Sequence, residues 1–226
     1  MHEKLIFGGL NMNNRNGNTV RPRLFLPGAL LITALTVAAT IPAGFGLAQN
    51  TAPSAGSPEL TVIREPDIFY VPTPQAVVDS MLSMAKVTKA DLIYDLGCGD
   101  GRIVVTGART FGCRGVGYDI DPERVVESRK NVQANKVQDL VRIEQEDIFT
   151  LDLSGASVVT LYLLPSLNVK LIPQLEKLKP GTRIVSHDFD MQGVVEPDMA
   201  VEVVDEMGSY HDVYLWIAPL KRAAGK

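Results

Sequence analysis

The chain is predicted to fold as an α/β protein, a doubly wound and mostly parallel sheet closed by a C-terminal antiparallel hairpin. Three observations predict this. From Asp91 onward, short apolar runs alternate with stretches of helical periodicity. The first run, Leu92-Ile93-Tyr94, meets an acid, Asp95, and then three glycines at alternate positions, Gly97, Gly99 and Gly101. The tail changes character: Val201–Val204 and Val213–Ile217 are two strand-like runs with little between them.

Val71-Pro72-Thr73-Pro74 opens the body. The prolines hold an extended approach, and Thr73 is placed to cap a helix starting near Gln75. Apolar residues at Val77, Val78, Met81, Leu82 and Met84-Ala85 form its buried stripe. Strands are predicted near 91–96, 115–119, 141–145, 157–162 and 182–187, and helices near 102–111, 122–135 and 166–178. Strands alternating with helices give a parallel sheet with right-handed crossovers.

The 226 residues are 46% hydrophobic, enough for one well-buried domain and an appendage. Formal net charge is −4. The first 58 residues hold four bases and one acid, so the remainder carries 18 bases against 25 acids, a balance of −7. An acidic body without a Lys/Arg cluster argues against nucleic acid as partner, because phosphate contacts dominate that affinity. Cys98 and Cys113 fall at opposite ends of neighbouring predicted strands, beyond the roughly 7 Å Cα separation that a disulfide spans. Two free thiols and no metal site are expected, since neither cysteine has a ligand-spaced partner.

No charge occurs between Arg23 and Glu59. Ala29–Ile41 is a compact apolar core, preceded by Arg21 and Arg23 and followed by Gly46-Leu47-Ala48. That is the order of a signal peptide. Pro42, Gly44 and Gly46 interrupt the approximately 20 apolar residues that a spanning helix needs. Residues 1–48 are therefore expected to be a signal peptide or membrane anchor, 49–60 a flexible linker, and 61–226 the functional domain. The chain is expected to be membrane-associated through residues 24–48 or exported; a misassigned start would leave it cytoplasmic.

In a doubly wound sheet the ligand lies across the carboxyl ends of the strands. Gly97, Gly99 and Gly101 follow the first strand, where a tight turn and close approach of a ligand to the main chain both favour glycine. Their spacing differs from the dinucleotide fingerprint, whose third glycine falls one residue later. Asp119 ends the second strand, about 20 residues on, where an acid can take both ribose hydroxyls. Asp121 and Pro122 suit the cap and first turn of the next helix. After the third strand, Asp147 can accept from an adenine amino group while Ile148 covers a ring face. Tyr162, at the end of the fourth predicted strand, can line an acceptor site or belong to the core. Ser186-His187-Asp188 is expected not to form a triad, because neighbouring strand residues face opposite ways. His187 can reach the pocket, and His211, which precedes the last predicted strand, looks structural.

Asp95 followed by Gly97-Cys98-Gly99-Asp100-Gly101 resembles motif I of class I S-adenosylmethionine (SAM) methyltransferases. Tyr70-Val71-Pro72-Thr73, Asp95–Val104 and Gly117–Pro122 extend the resemblance over Tyr70 to about Pro219. Within the class the chain is similar to the bacterial branch of the ATP synthase c-subunit lysine methyltransferases, departing from it at Leu161–Pro165. The resemblance implies a Rossmann-like class I methyltransferase sheet, SAM as cofactor, and direct in-line transfer to a protein lysine, with a small membrane protein as one acceptor class. It implies that Tyr70 and Thr73 fold over the cofactor, and that an N-terminal hydrophobic segment is normal for the group. Small-molecule methylation and a non-catalytic SAM- or nucleotide-binding module remain open alternatives. The Asn/Asp-Pro-Pro-aromatic motif of amide- and nucleobase-amine-methylating enzymes is absent.

Overall fold

The structure, a computed structural model, describes residues 60–223. The signal or anchor segment at 1–48 and residues 49–59 of the linker lie outside the described residues. Among the described residues no helix is long and apolar enough to cross a membrane.

The elements follow the predicted alternation. In chain order they are α1 (Gln75–Met84), β1 (Leu92–Leu96), α2 (Arg102–Phe111), β2 (Arg114–Asp119), α3 (Pro122–Ala134), β3 (Val141–Gln145), β4 (Val158–Leu161), α4 (Pro165–Leu175), β5 (Arg183–His187), β6 (Met199–Val204) and β7 (Tyr210–Ile217). A 3-10 turn, Ile148–Thr150, follows β3. The strands form one sheet in the order β3-β2-β1-β4-β5-β7-β6. β1 to β5 pair in parallel, and β7 pairs antiparallel with both β5 and β6. The order reverses beside β1, so a cleft opens where β1 and β4 end.

Alternation along the strands divides the core into two layers. Val185 of β5 packs with α1, α2 and α3, whereas its neighbour Ile184 packs with α4 on the other face. β4 reads Val-Val-Thr-Leu and is buried throughout, as a central strand covered on both faces must be. Trp216 fills the α4 side, and its indole N–H donates to the Val195 carbonyl at 3.2 Å. β6 is the exposed edge.

Local signals explain the helix starts with one correction. The Asp121 carboxylate accepts from the Glu123 N–H at 2.8 Å and Pro122 occupies the first helical position, as the sequence predicts. Thr73 does not cap α1. Pro74 is the cap residue and has no side-chain acceptor to offer, while the Thr73 hydroxyl is turned inward to His187 Nδ1 at 3.2 Å.

Candidate active site

A cavity of about 1050 Å³ lies over the carboxyl ends of β1, β2 and β4, roofed by residues 62–73. Its volume matches a drug-sized ligand, for which pockets run to about 1000 Å³. Of the sequence-predicted site residues, Tyr70, Thr73, Asp95, Gly97, Asp119, Ile148 and Tyr162 line it. Gly99 and Gly101 belong to the turn beneath, and Asp147 faces the roof.

The turn after β1 is built for close approach. Gly97, Gly99 and Gly101 all adopt left-handed backbone, φ between 55° and 79°. At Gly99 a Cβ would lie 2.1 Å from Cε2 of Tyr70, so the tyrosine ring rests directly on the turn. Burial, followed by the charge of Asp100, pushes the Tyr70 phenol up to about 12. Arg102 ties this roof to the turn: it donates to the Thr73 carbonyl at 2.8 Å and forms an ion pair with Asp100 at 2.7 Å. Sequence reasoning misses Arg102, whose position directly after Gly101 is its only signal.

Asp95 is the least satisfied polar group at the site. Its Oδ1 accepts from the Thr160 hydroxyl at 2.7 Å, across the β1–β4 register that pairs the two residues. Its Oδ2 is buried with no partner. Burial, opposed by the Thr160 bond and reinforced by Asp119 and Asp100, raises the carboxyl to about 7. An orphaned acceptor among acids calls for a cationic donor such as an ammonium group.

Asp119 is held by backbone. One oxygen accepts from Gly99 N–H at 2.8 Å and the other from Asp121 N–H at 3.0 Å. Each oxygen retains a second lone pair for a diol. Asp147 is occupied from outside: Arg64 donates to it through Nε at 2.8 Å and Nη2 at 3.2 Å, and it caps Phe149 N–H at 3.0 Å. Arg64 lies 83 residues earlier in the chain, and no local pattern announces that pairing.

Beyond β4 the walls become apolar and aromatic, with Tyr162, Leu163, Leu164, Leu167 and Phe189. Tyr162 and Phe189 stack with centroids 6.1 Å apart, and the other side of Tyr162 lies 3.8 Å from the His187 ring. His187 is thus behind the cavity wall rather than in it. Ser186 is no nucleophile here, since its hydroxyl donates to the Phe189 carbonyl at 2.6 Å. Two readings need correction. Asp188 does meet His187, with Nε2 to Oδ2 at 3.2 Å, because it leaves the strand in left-handed backbone at φ 57° and escapes the alternation rule. His211 lies within β7 rather than before it, and contacts His187 at 3.0 Å.

Comparison with known proteins agrees with this geometry. The family profile described as the ANTKMT methyltransferase domain matches residues 95–198. The chain is 46% identical over 154 residues to a protein-lysine N-methyltransferase of Saccharolobus islandicus (strain REY15A), covering 67% of this chain and 94% of that protein. It is 28% identical over 170 residues to the ATP synthase c-subunit lysine N-methyltransferase of Xenopus laevis, covering 73% of each. A crystal structure described as an RNA methyltransferase from Salinibacter ruber in complex with S-adenosyl-L-homocysteine superposes with a TM-score of 0.62. It is 54% identical, over 68% of this chain and 97% of that one.

Proposed function

We propose that this chain, which belongs to the class I SAM-dependent methyltransferases with the ANTKMT methyltransferase domain, N-methylates lysine side chains of a protein. The observation that carries the choice of acceptor is the 46% identity to a protein-lysine N-methyltransferase across 94% of its length. The cavity supports it, since its acidic half suits a cationic cofactor and its aromatic half suits an aliphatic amine.

SAM supplies a sulfonium-activated methyl group. The chain's residues bind and orient. Asp95 would pair with the methionine ammonium through its orphaned Oδ2. Gly97, Gly99 and Gly101 bring main chain to the methionine side. Asp119 would accept from the ribose hydroxyls, and Asp147 and Ile148 would hold the adenine. Tyr70 and Thr73 close the roof. Positioning of this kind can contribute about 7–11 kcal/mol.

The acceptor amine must be neutral to attack, although free lysine has a pKa of about 10.4. Desolvation among Leu163, Leu164, Leu167 and Phe189 lowers that value and favours the neutral form. Burial, followed by Asp188, raises the Tyr162 phenol. It therefore stays protonated at neutral pH, and its ring, held between Phe189 and His187, forms part of the wall beside the amine. The acidic balance of the body, −7 outside the first 58 residues, disfavours RNA as acceptor.

The leader-like order of residues 1–48 supports membrane association through residues 24–48, or export, with 49–60 as linker to a catalytic domain from residue 61. Membrane fractionation of the full chain and of a variant lacking residues 1–48 tests this. The function is tested by incubating purified protein with radiolabelled SAM and a lysate separated into protein, RNA and metabolite fractions. Label recovered as methyllysine after acid hydrolysis is the expected result. Label confined to RNA or to metabolites, or SAM binding with no transfer to any fraction, would overturn it.

A further inference from the structure

Only three histidines occur in the chain, and two of them meet at one point. His187 ends β5, and His211 stands near the start of its antiparallel partner β7. With Asp188 they form a triangle of ligand-capable atoms. His187 Nε2 lies 3.0 Å from His211 Nδ1, His211 Nδ1 lies 3.2 Å from Asp188 Oδ2, and Asp188 Oδ2 lies 3.2 Å from His187 Nε2.

No arrangement of protons satisfies all three edges. If both rings point N–H groups at the carboxylate, those two donors face one another at 3.0 Å. If only one ring carries an inward proton, one edge is lone pair against lone pair. A cation at the centre uses all three lone pairs at once. Zinc binds nitrogen at about 2.0–2.1 Å and carboxylate oxygen at about 2.0–2.2 Å, which places tetrahedral ligand atoms about 3.3–3.4 Å apart. The triangle needs to open by only a few tenths of an ångström.

The outer atoms are held as in metal sites, where the second ring nitrogen is oriented by a hydrogen bond. His187 Nδ1 meets the Thr73 hydroxyl at 3.2 Å, and His211 Nε2 meets Asp205 Oδ2 at 3.4 Å. Asp188 Oδ1 accepts from Asp212 N–H at 3.1 Å. The left-handed backbone of Asp188 is a conformation that non-glycine residues adopt at a cost, and such outliers cluster at functional sites. Beside the triangle a recess of about 280 Å³, lined by Glu202 and Tyr210 among others, leaves room for a fourth ligand.

We propose that His187, Asp188 and His211 form a three-ligand site for a divalent first-row transition metal, with zinc the ion that two imidazoles and a carboxylate suit best. The metal would stand behind the acceptor wall rather than in it. It would pin β5 to β7, and through His187 it would fix the Tyr162 ring on one side and Thr73 of the roof on the other.

The test uses the full chain stripped with a chelator and titrated with zinc chloride by calorimetry, and with cobalt(II) followed by visible absorption. Binding of one equivalent, with cobalt bands of tetrahedral intensity, is expected. His211→Ala and Asp188→Ala should each weaken zinc binding by more than about 100-fold. Asp205→Asn, which removes the charge of an orienting partner that also accepts from Met207 and Ser209 N–H in the β6–β7 turn, should weaken it by about 10-fold. S-adenosylhomocysteine affinity, measured on every variant, reports that each has folded. No zinc uptake at micromolar concentration, or uptake unchanged in variants that still bind S-adenosylhomocysteine, would show that the cluster is only a proton-sharing network and overturn the proposal.

Discussion

The proposed pairing of Asp95 with the methionine ammonium makes cofactor binding depend on pH. Its carboxyl is raised from an ordinary 3.8 to about 7, chiefly by burial. A shift of that size corresponds to about 4 kcal/mol against ionisation in the cofactor-free protein. An ammonium placed on the orphaned Oδ2 reverses the cause, so the ionised form is the one that binds. At pH 6 only about one-tenth of Asp95 is ionised before binding. Affinity for S-adenosylhomocysteine should then be about 10-fold weaker than its plateau, changing by about a decade per pH unit below 7. About 0.9 of a proton should be released per ligand at that pH, read from calorimetry in buffers of different ionisation enthalpy. Asp95→Asn should flatten this dependence and weaken binding at pH 7.5 by about 10- to 100-fold, the value of one charge-assisted hydrogen bond.

The sign for stability is the opposite. A carboxyl whose folded pKa is raised binds more protons folded than unfolded. The cofactor-free protein therefore loses stability as pH rises from about 4 to 7, and Asp95→Asn should raise its melting temperature at pH 8 but not at pH 4. A wild-type affinity that is level from pH 5.5 to 7.5, or a slope that persists in Asp95→Asn, would refute the assignment of Oδ2 to the ammonium.

Asp119→Ala should weaken cofactor binding by about 10- to 100-fold by calorimetry, since hydrogen bonds to a charged group contribute about 1.5–3 kcal/mol each; an unchanged affinity would remove Asp119 from the ribose site. Gly99→Ala places a Cβ 2.1 Å from the Tyr70 ring at φ 55°, and should cost about 1–3 kcal/mol in thermal unfolding. Gly99→Ala combined with Tyr70→Ala should recover the part due to the clash but not the part due to the backbone, and full recovery would show that φ carries no strain. Arg64→Ala should lower the melting temperature little, because a part-exposed ion pair is worth about 0–1 kcal/mol, yet accelerate proteolysis within residues 62–71. Equal cleavage rates would show that the roof is held by other contacts.

The features legible in the sequence are those set by local pattern. Asp95, Asp119 and Ile148 reach one cavity because each ends or follows a successive strand, and period and punctuation alone locate strand ends. The hairpin is legible as two runs, but β7 starts at Tyr210, earlier than the apolar run at Val213, because its first residues are paired without being buried. What cannot be read depends on pairings distant in sequence. Arg64 finds Asp147 across 83 residues, and His187 finds His211 through the β5–β7 register. Thr73 reads as a cap from its neighbours, whereas its partner is 114 residues away. The strand-alternation argument against a His187–Asp188 contact fails at the one residue where the strand ends in left-handed backbone.

The Arg64–Asp147 pair also bears on how the roof and the cofactor interact. A carboxylate has about four lone-pair positions. Arg64 takes one on each oxygen of Asp147 and Phe149 N–H takes a second on Oδ1, which leaves one on Oδ2. That remaining position is enough for one N–H of an adenine amino group. Under the proposed adenine role of Asp147, Arg64 would not compete with the adenine but would fix the rotamer that receives it, while holding Asp147 to the roof segment. Roof closure and the proposed adenine recognition would then share one carboxylate, so Arg64→Ala should weaken S-adenosylhomocysteine binding as well as loosen the roof.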